Sequence, residues 1–113
     1  MARLNYVELP VRDVGATKAF YEAAFGWRLT DFGPTYSATM TGDTDLGLQG
    51  DAAEATQAPL PVIDVPNLEA AHAAVLAAGG QIVRPTFTFP GGRRFHFLDP
   101  AGNELAVVEA DAH

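Results

Sequence analysis

Apolar and polar residues alternate from the start of the chain. In LNYVELPV (Leu4 to Val11), Val7, Leu9 and Val11 share one face and Tyr6 and Glu8 the other, the period of a strand. Asp13 follows as a helix N-cap, and VGATKAFYEAAF has helical spacing. Val14, Phe20 and Phe25 fall on one broad stripe, with Lys18 and Glu22 paired at i,i+4. Gly26 fits a helix C-cap, and WRLTDF begins the next strand. Two shorter strand-like runs, TYSATMT (Thr35 to Thr41) and DLGLQ (Asp45 to Gln49), are joined by the turn-rich GDT.

GDAAEATQAP (Gly50 to Pro59) reads as a polar linker, and a second cycle follows it. LPVIDV predicts a strand, Asn67 a cap, LEAAHAAVLAA a helix, and Gly79-Gly80 its terminator. QIVRPTF is strand-like, with Pro85 suggesting an edge or a bulge. FPGG turns, and RRFHFLDPAGNELAVVE closes the chain as strand, tight turn and strand. Each half therefore reads βαβββ. Sliding the chain by 54 residues aligns Val11 with Val65, Asp13 with Asn67, Val14 with Leu68 and Gly26 with Gly80, without a gap. The expected organisation is one domain of two modules, about 1–50 and 59–113. Neither module could bury its sheet and helix alone.

Composition narrows the function classes. The chain has 113 residues, 48% hydrophobic and 19% charged, which fits a folded globular chain. A net charge of −7 argues against nucleic acid, which needs a basic footprint, and mildly favours cationic ligands. No cysteine is present, so disulfides, thiolate metal sites and thiol nucleophiles are excluded. The N-terminus lacks an apolar signal region and no apolar run reaches membrane-spanning length, so a cytoplasmic protein without membrane contact is the expectation. There is no Gly-rich phosphate loop, Ser-His-Asp arrangement or HExxH motif.

Three segments carry a resemblance: ELPVRDVGATKAFYEAAFGW (Glu8 to Trp27), DVPNLEAAHAAVLAAGGQIV (Asp64 to Val83) and FHFLDPAGNELAVVE (Phe95 to Glu109). In this order, over a βαβββ repeat, they resemble the vicinal oxygen chelate superfamily of glyoxalase I, bleomycin-resistance and extradiol dioxygenase domains. The resemblance implies an α+β fold in which two βαβββ modules, in pseudo-twofold repeat, form a curled mixed sheet with an open cleft. It also implies a homodimer, and a divalent metal held by His and Glu that polarises adjacent substrate oxygens.

The ligand positions implied by that resemblance hold the wrong residues. They fall on Tyr6, on Leu60, on Ala106, and near Leu46 or Gly47. Leu60 and Ala106 have no lone pair to offer a cation. The expectation is therefore a domain with no metal cofactor of the family type.

Strand parity supplies other candidates. Leu105 and Val107 read as core, which leaves Glu104, Ala106 and Val108 on the opposite face, and Phe97 as core leaves His96 beside them. A carboxylate next to His96, from Glu104 or Glu8, would raise its pKa and fix its tautomer, as an acid–base group requires. Glu8, mid-strand, needs water, Arg94 or a ligand. Tyr6, Tyr36, Trp27, Phe87 and Phe89 could form aromatic walls, with Trp27 and Tyr21 equally suited to core or dimer contacts. His72 is expected to face solvent, and His113 is terminal. The sequence thus predicts a small-molecule cleft of Tyr6, Glu8, Tyr36, Leu60, Phe89, Arg94, His96 and Ala106, binding a drug or metabolite. The alternative is a lyase, isomerase or metal-independent acid–base enzyme using His96 with Glu8 or Glu104.

Overall fold

Side-chain caps set where both helices begin. The computed structural model describes residues 1–111, so His113 lies outside the described residues. The element order is β1 (Arg3–Pro10), α1 (Val14–Phe25), β2 (Leu29–Asp31), β3 (Tyr36–Thr39), β4 (Asp45–Gln49), β5 (Leu60–Asp64), α2 (Leu68–Ala77), β6 (Gln81–Phe89), β7 (Gly92–Leu98) and β8 (Glu104–Ala110). Asp13 accepts the Ala16 N–H at 2.9 Å, and Asn67 accepts that of Ala70 at 3.0 Å. At α2 a second acceptor joins: Glu109 Oε1 takes the Leu68 N–H at 2.8 Å, placing negative charge at the positive end of the helix dipole.

The chain divides into two compact units, Tyr6–Leu60, and Met1–Asn5 together with the chain from Pro61 onward. In the first, strand order is β2-β3-β4-β1, with β1 parallel to β4 and the other pairs antiparallel. In the second the order is β5-β8-β7-β6, with β5 parallel to β8 and the other pairs antiparallel. The predicted repeat is thus present in the topology. Its helix ends differ, because α2 stops two residues sooner than the alignment implies. The glycine that turns left-handed after it is Gly79 (φ 97°) and not Gly80, whereas Gly26 (φ 70°) does this after α1. Pro85 sits in an end strand whose register shifts on either side of Arg84, as a bulge at that proline requires.

The second unit builds an apolar core among the described residues. Val65, Leu68, Phe95 and Val107 are buried together, with Ile63, Ala71, Val75, Ile82 and Phe97 packed around them. His72 belongs to this packing rather than to solvent: it is half-buried, its ring edge-on to Phe95 at 4.9 Å.

Helix α1 buries no residue, and Phe20 and Phe25 are each 60% exposed, so the stripe predicted from spacing is not a core stripe. At 3.6 residues per turn Phe20 lies about 240° round from Val14. Phe25, the last helical residue, turns to the Trp27 ring at 5.2 Å, and Tyr21 stacks on Trp27 at 5.6 Å. The predicted Lys18–Glu22 pair is also replaced. Lys18 Nζ reaches Asp31 at 3.2 Å, and Glu22 accepts the Leu29 N–H at 3.0 Å. Both side chains tie the helix to β2, a tertiary use that i,i+4 spacing does not reveal. Among the described residues no helix is long and apolar enough to cross a membrane.

Candidate functional site

In the first unit the register places Glu8 beside Gly47 and Gly47 beside Ala38. Alternation puts Val7, Leu9, Leu46 and Leu48 on one face and Tyr6, Glu8, Gly47 and Tyr36 on the other. There the Tyr36 hydroxyl donates to Glu8 Oε1 at 3.0 Å, and the Tyr6 hydroxyl lies 2.5 Å from that of Tyr36. With Tyr36 donating to Glu8, Tyr6 donates to Tyr36. Glu8 is 3% exposed, so this hydrogen bond offsets the cost of burying a carboxylate. Burial, followed by the neighbouring Tyr6 and Glu8, pushes the Tyr36 phenol well above its ordinary pKa. It therefore serves as a donor and not as a phenolate base.

Gly47 makes the arrangement possible. A Cβ at this position would overlap both phenolic oxygens and lie 2.8 Å from Tyr6 Cζ. The two rings thus occupy the space that any side chain at position 47 would need.

In the second unit β7 and β8 pair antiparallel, with His96 beside Ala106 and Leu98 beside Glu104. His96 Nδ1 is 2.7 Å from Glu104 Oε2. The carboxylate acceptor assigns the proton to Nδ1 and leaves the lone pair on Nε2. His96 is 1% exposed, and Nε2 is buried without a hydrogen-bond partner among the described residues. An unmet buried polar atom costs about 1–3 kcal/mol.

The sequence predicts a raised His96 pKa, and the structure reverses the sign. Burial comes first, and with the charges of Arg94 and Arg84 it outweighs Glu104, holding the imidazole below its ordinary value. The unfolded chain, with an ordinary value of 6.5, therefore takes up this proton before the folded one does. The corresponding stability is fully present above pH 6.5 and is lost as pH falls from there toward the folded value. Urea unfolding of wild type and His96→Gln across this range should show the wild type losing ground on acidification. A pH-independent difference between them would contradict the assignment.

Around His96 the strands place two cations and two rings. The Arg84 guanidinium lies 3.7 Å from the Phe87 ring centre, and Arg94 lies 5.3 Å from Phe87 and 5.5 Å from Phe89. Phe87 is 6.0 Å from the imidazole.

The structure thus brings the predicted residues into two groups, Tyr6–Glu8–Tyr36 and Phe89–Arg94–His96–Glu104. Leu60 and Ala106 are fully buried, and Trp27 is 42% exposed. Arg84 is a member that sequence reasoning missed; its alternation with Phe87 is broken by the bulge, which hides the shared face. Two depressions of about 390 Å³ each lie elsewhere in the first unit, one between α1 and β2, the other beside Trp27 and Leu46; Trp27, a candidate aromatic wall, lines the second, and no other predicted cleft residue lines either.

The family description "Glyoxalase/Bleomycin resistance protein/Dioxygenase superfamily" matches residues 3–107. The chain belongs to this superfamily. A Mycobacterium bovis protein provisionally named glyoxylase CFP32 is 30% identical over 96% of this chain. The alignment covers 46% of that protein, so this superfamily domain spans about half the length of the curated relatives it matches. Among solved structures, methylmalonyl-CoA epimerase from Mycobacterium tuberculosis aligns with a TM-score of 0.74 at 16% identity, covering 96% of this chain and 88% of the epimerase. The Mn(II)-bound glyoxalase of Novosphingobium aromaticivorans aligns at 0.70 and 21% identity, covering 96% of this chain and 40% of the glyoxalase. At these identities the structural likenesses establish the α+β glyoxalase-like fold alone.

The superfamily resemblance implies a metal, and this domain's residues do not fit one. Leu60 and Ala106 offer only buried carbon. The Tyr6 phenol is engaged with Tyr36 above Gly47. Among the described residues no cluster of three His, Cys, Asp or Glu side chains could hold an ion.

Proposed function

We propose that this superfamily domain works without the divalent metal of the family type and binds a small organic molecule, a drug or metabolite, in its cleft. The observation that carries this reading is the chemistry at the ligand positions: Tyr6, Leu60 and Ala106, with the Tyr6–Tyr36–Glu8 hydrogen-bond chain filling the space above Gly47. Phenols and a carboxylate of this kind can orient a polar ligand against aromatic surface. Elemental analysis of the purified protein after dialysis should show substoichiometric Zn, Ni, Mn and Fe. One tightly held equivalent of any of them would overturn the reading.

A second reading is a metal-independent acid–base enzyme. It is favoured by the His96–Glu104 geometry, which leaves a basic nitrogen oriented by a carboxylate. It differs from the first in requiring turnover. A homodimer is part of either proposal, supported by the exposed aromatic surface of Phe20, Phe25 and Trp27. The double length of the curated relatives also leaves room for a second such unit in their chains.

A further inference from the structure

We infer that the first unit carries a second small-molecule site, on the opposite face of its strands from the Tyr6–Glu8–Tyr36 group, for a neutral apolar molecule bearing a carbonyl oxygen. The site is the depression of about 390 Å³ beside Trp27 and Leu46. It lies outside the proposed cleft and does not depend on it.

The fold explains why this depression is apolar and open. Val7 and Leu46 are register partners on the parallel strands β1 and β4, so they share the face opposite Tyr6, Glu8 and Gly47. Both are only half-buried, and both line the depression. Helix α1 ends at Phe25, the left-handed Gly26 (φ 70°) turns the chain, and Trp27 and Arg28 supply a wall. Trp27 is 42% exposed and yet held in place. Its ring stacks on Tyr21 at 5.6 Å and 12°, and on Phe25 at 5.2 Å and 29°. A wall fixed in advance loses little freedom when a flat body packs against it. The volume falls in the range of small-molecule sites, about 300–1,000 Å³.

The hydrogen bonds already made select the polar head. Asp45 accepts the Thr39 hydroxyl at 2.7 Å and the Thr41 and Gly42 N–H groups at 2.8 and 3.0 Å. The Thr39 hydroxyl accepts the Leu46 N–H at 3.0 Å. The Thr41 hydroxyl donates to the Thr44 carbonyl at 3.3 Å and accepts the Asp43 N–H at 3.2 Å. The acceptors on this lining are therefore engaged within the chain. Its donors are not: among the described residues, neither the Arg28 guanidinium nor the Trp27 indole N–H has an acceptor. A complementary ligand brings an acceptor oxygen.

Charge decides that this oxygen is neutral. Arg28 and Asp45 cancel formally on the lining, and Asp43 lies in the adjoining turn of a chain with net charge −7. A carboxylate would meet both aspartates as well as the arginine. An ammonium would meet the arginine and find the Asp45 oxygens occupied. A carbonyl takes a charge-assisted hydrogen bond from the guanidinium without either repulsion.

The test is titration with acetophenone, against ethylbenzene, benzoate and benzylamine, followed by nuclear magnetic resonance. The chain has one tryptophan, so a single indole N–H signal reports the wall, and the Leu46 methyl groups report the floor. Acetophenone should shift both signals with Kd of about 1 mM or tighter, and each control should bind about tenfold more weakly. Arg28→Met, an exposed change that breaks no contact among the described residues, should weaken acetophenone about tenfold and leave ethylbenzene within about twofold. No binding of acetophenone, tighter binding of benzoate or benzylamine, shifts confined to Tyr6 and Tyr36, or undiminished affinity in Arg28→Met would overturn the proposal. A tightly held metal would sink the metal-free reading of the cleft and leave this test as it stands.

Discussion

Phe95→Ala lowers the unfolding free energy by about 3–5 kcal/mol, the range for removing a fully buried aromatic ring from a packed core. Phe95 is 0% exposed and sits at the centre of the apolar cluster of Val65, Leu68 and Val107. Its ring touches His72 edge-on at 4.9 Å and lies 6.4 Å from Phe97. These neighbours come from α2, from β7 and β8 and from Val65 just after β5, so they cannot all close on the void. For a domain whose total stability is about 5–15 kcal/mol, the loss removes a large fraction of it. Phe20→Ala is the contrast. Its ring is 60% exposed on α1, and its loss should change stability by no more than about 0.5 kcal/mol. Urea unfolding of both variants checks the pair. Equal effects would mean that the cores are not distributed as described.

Gly47→Ala should be nearly as damaging, although it adds only one methyl group. The new Cβ would overlap both the Tyr6 and the Tyr36 phenolic oxygens, so each ring must leave its position. Overpacking of this kind costs about 1–3 kcal/mol. Moving Tyr36 also removes its hydrogen bond to the buried Glu8 carboxylate, worth about 1.5–3 kcal/mol. Both costs act through the displaced Tyr36 and do not fully add, so the expected loss is about 2–5 kcal/mol, with a change in tyrosine ultraviolet absorption as the phenols are released. A double-mutant cycle with Tyr6→Ala isolates the cause, since removing one of the two overlapping rings gives the Tyr36 phenol space to move aside and lowers the cost of the methyl group. If Gly47→Ala unfolds like wild type, the phenols do not sit above that residue. Ligand binding, under the proposed function, would be lost with the same substitution.

Most of the fold was legible along the chain because its signals are local. Asp13 and Asn67 cap helices wherever an acceptor precedes a helical run, and both do so here. The Asp99 turn likewise needs only neighbours: its side chain accepts the Ala101 and Asn103 N–H groups at 2.9 Å. Strand parity placed Glu8 and His96 opposite the apolar faces and left Glu104 or Glu8 as the partner of His96; the structure pairs it with Glu104. Where the reading failed, a distant partner was responsible. Lys18 prefers Asp31 to Glu22, His72 turns to Phe95, and the α1 aromatics stack on Trp27. None of these partners can be read from i,i+3 or i,i+4 spacing.

By itself the sequence determined the element order, the doubled βαβββ pattern and the absence of donor atoms at Leu60 and Ala106, because these depend on residue type and short-range periodicity; the superfamily entered through the resemblance of three segments and the family match. Only the tertiary structure decided the sign of the His96 shift, the Tyr6–Tyr36–Glu8 chain above Gly47, and the meeting of Arg84 with Arg94 on Phe87. Each of these is a balance of burial against charge, or of volume against volume. Such balances are set by which strands lie side by side, and no stretch of the chain carries that information alone.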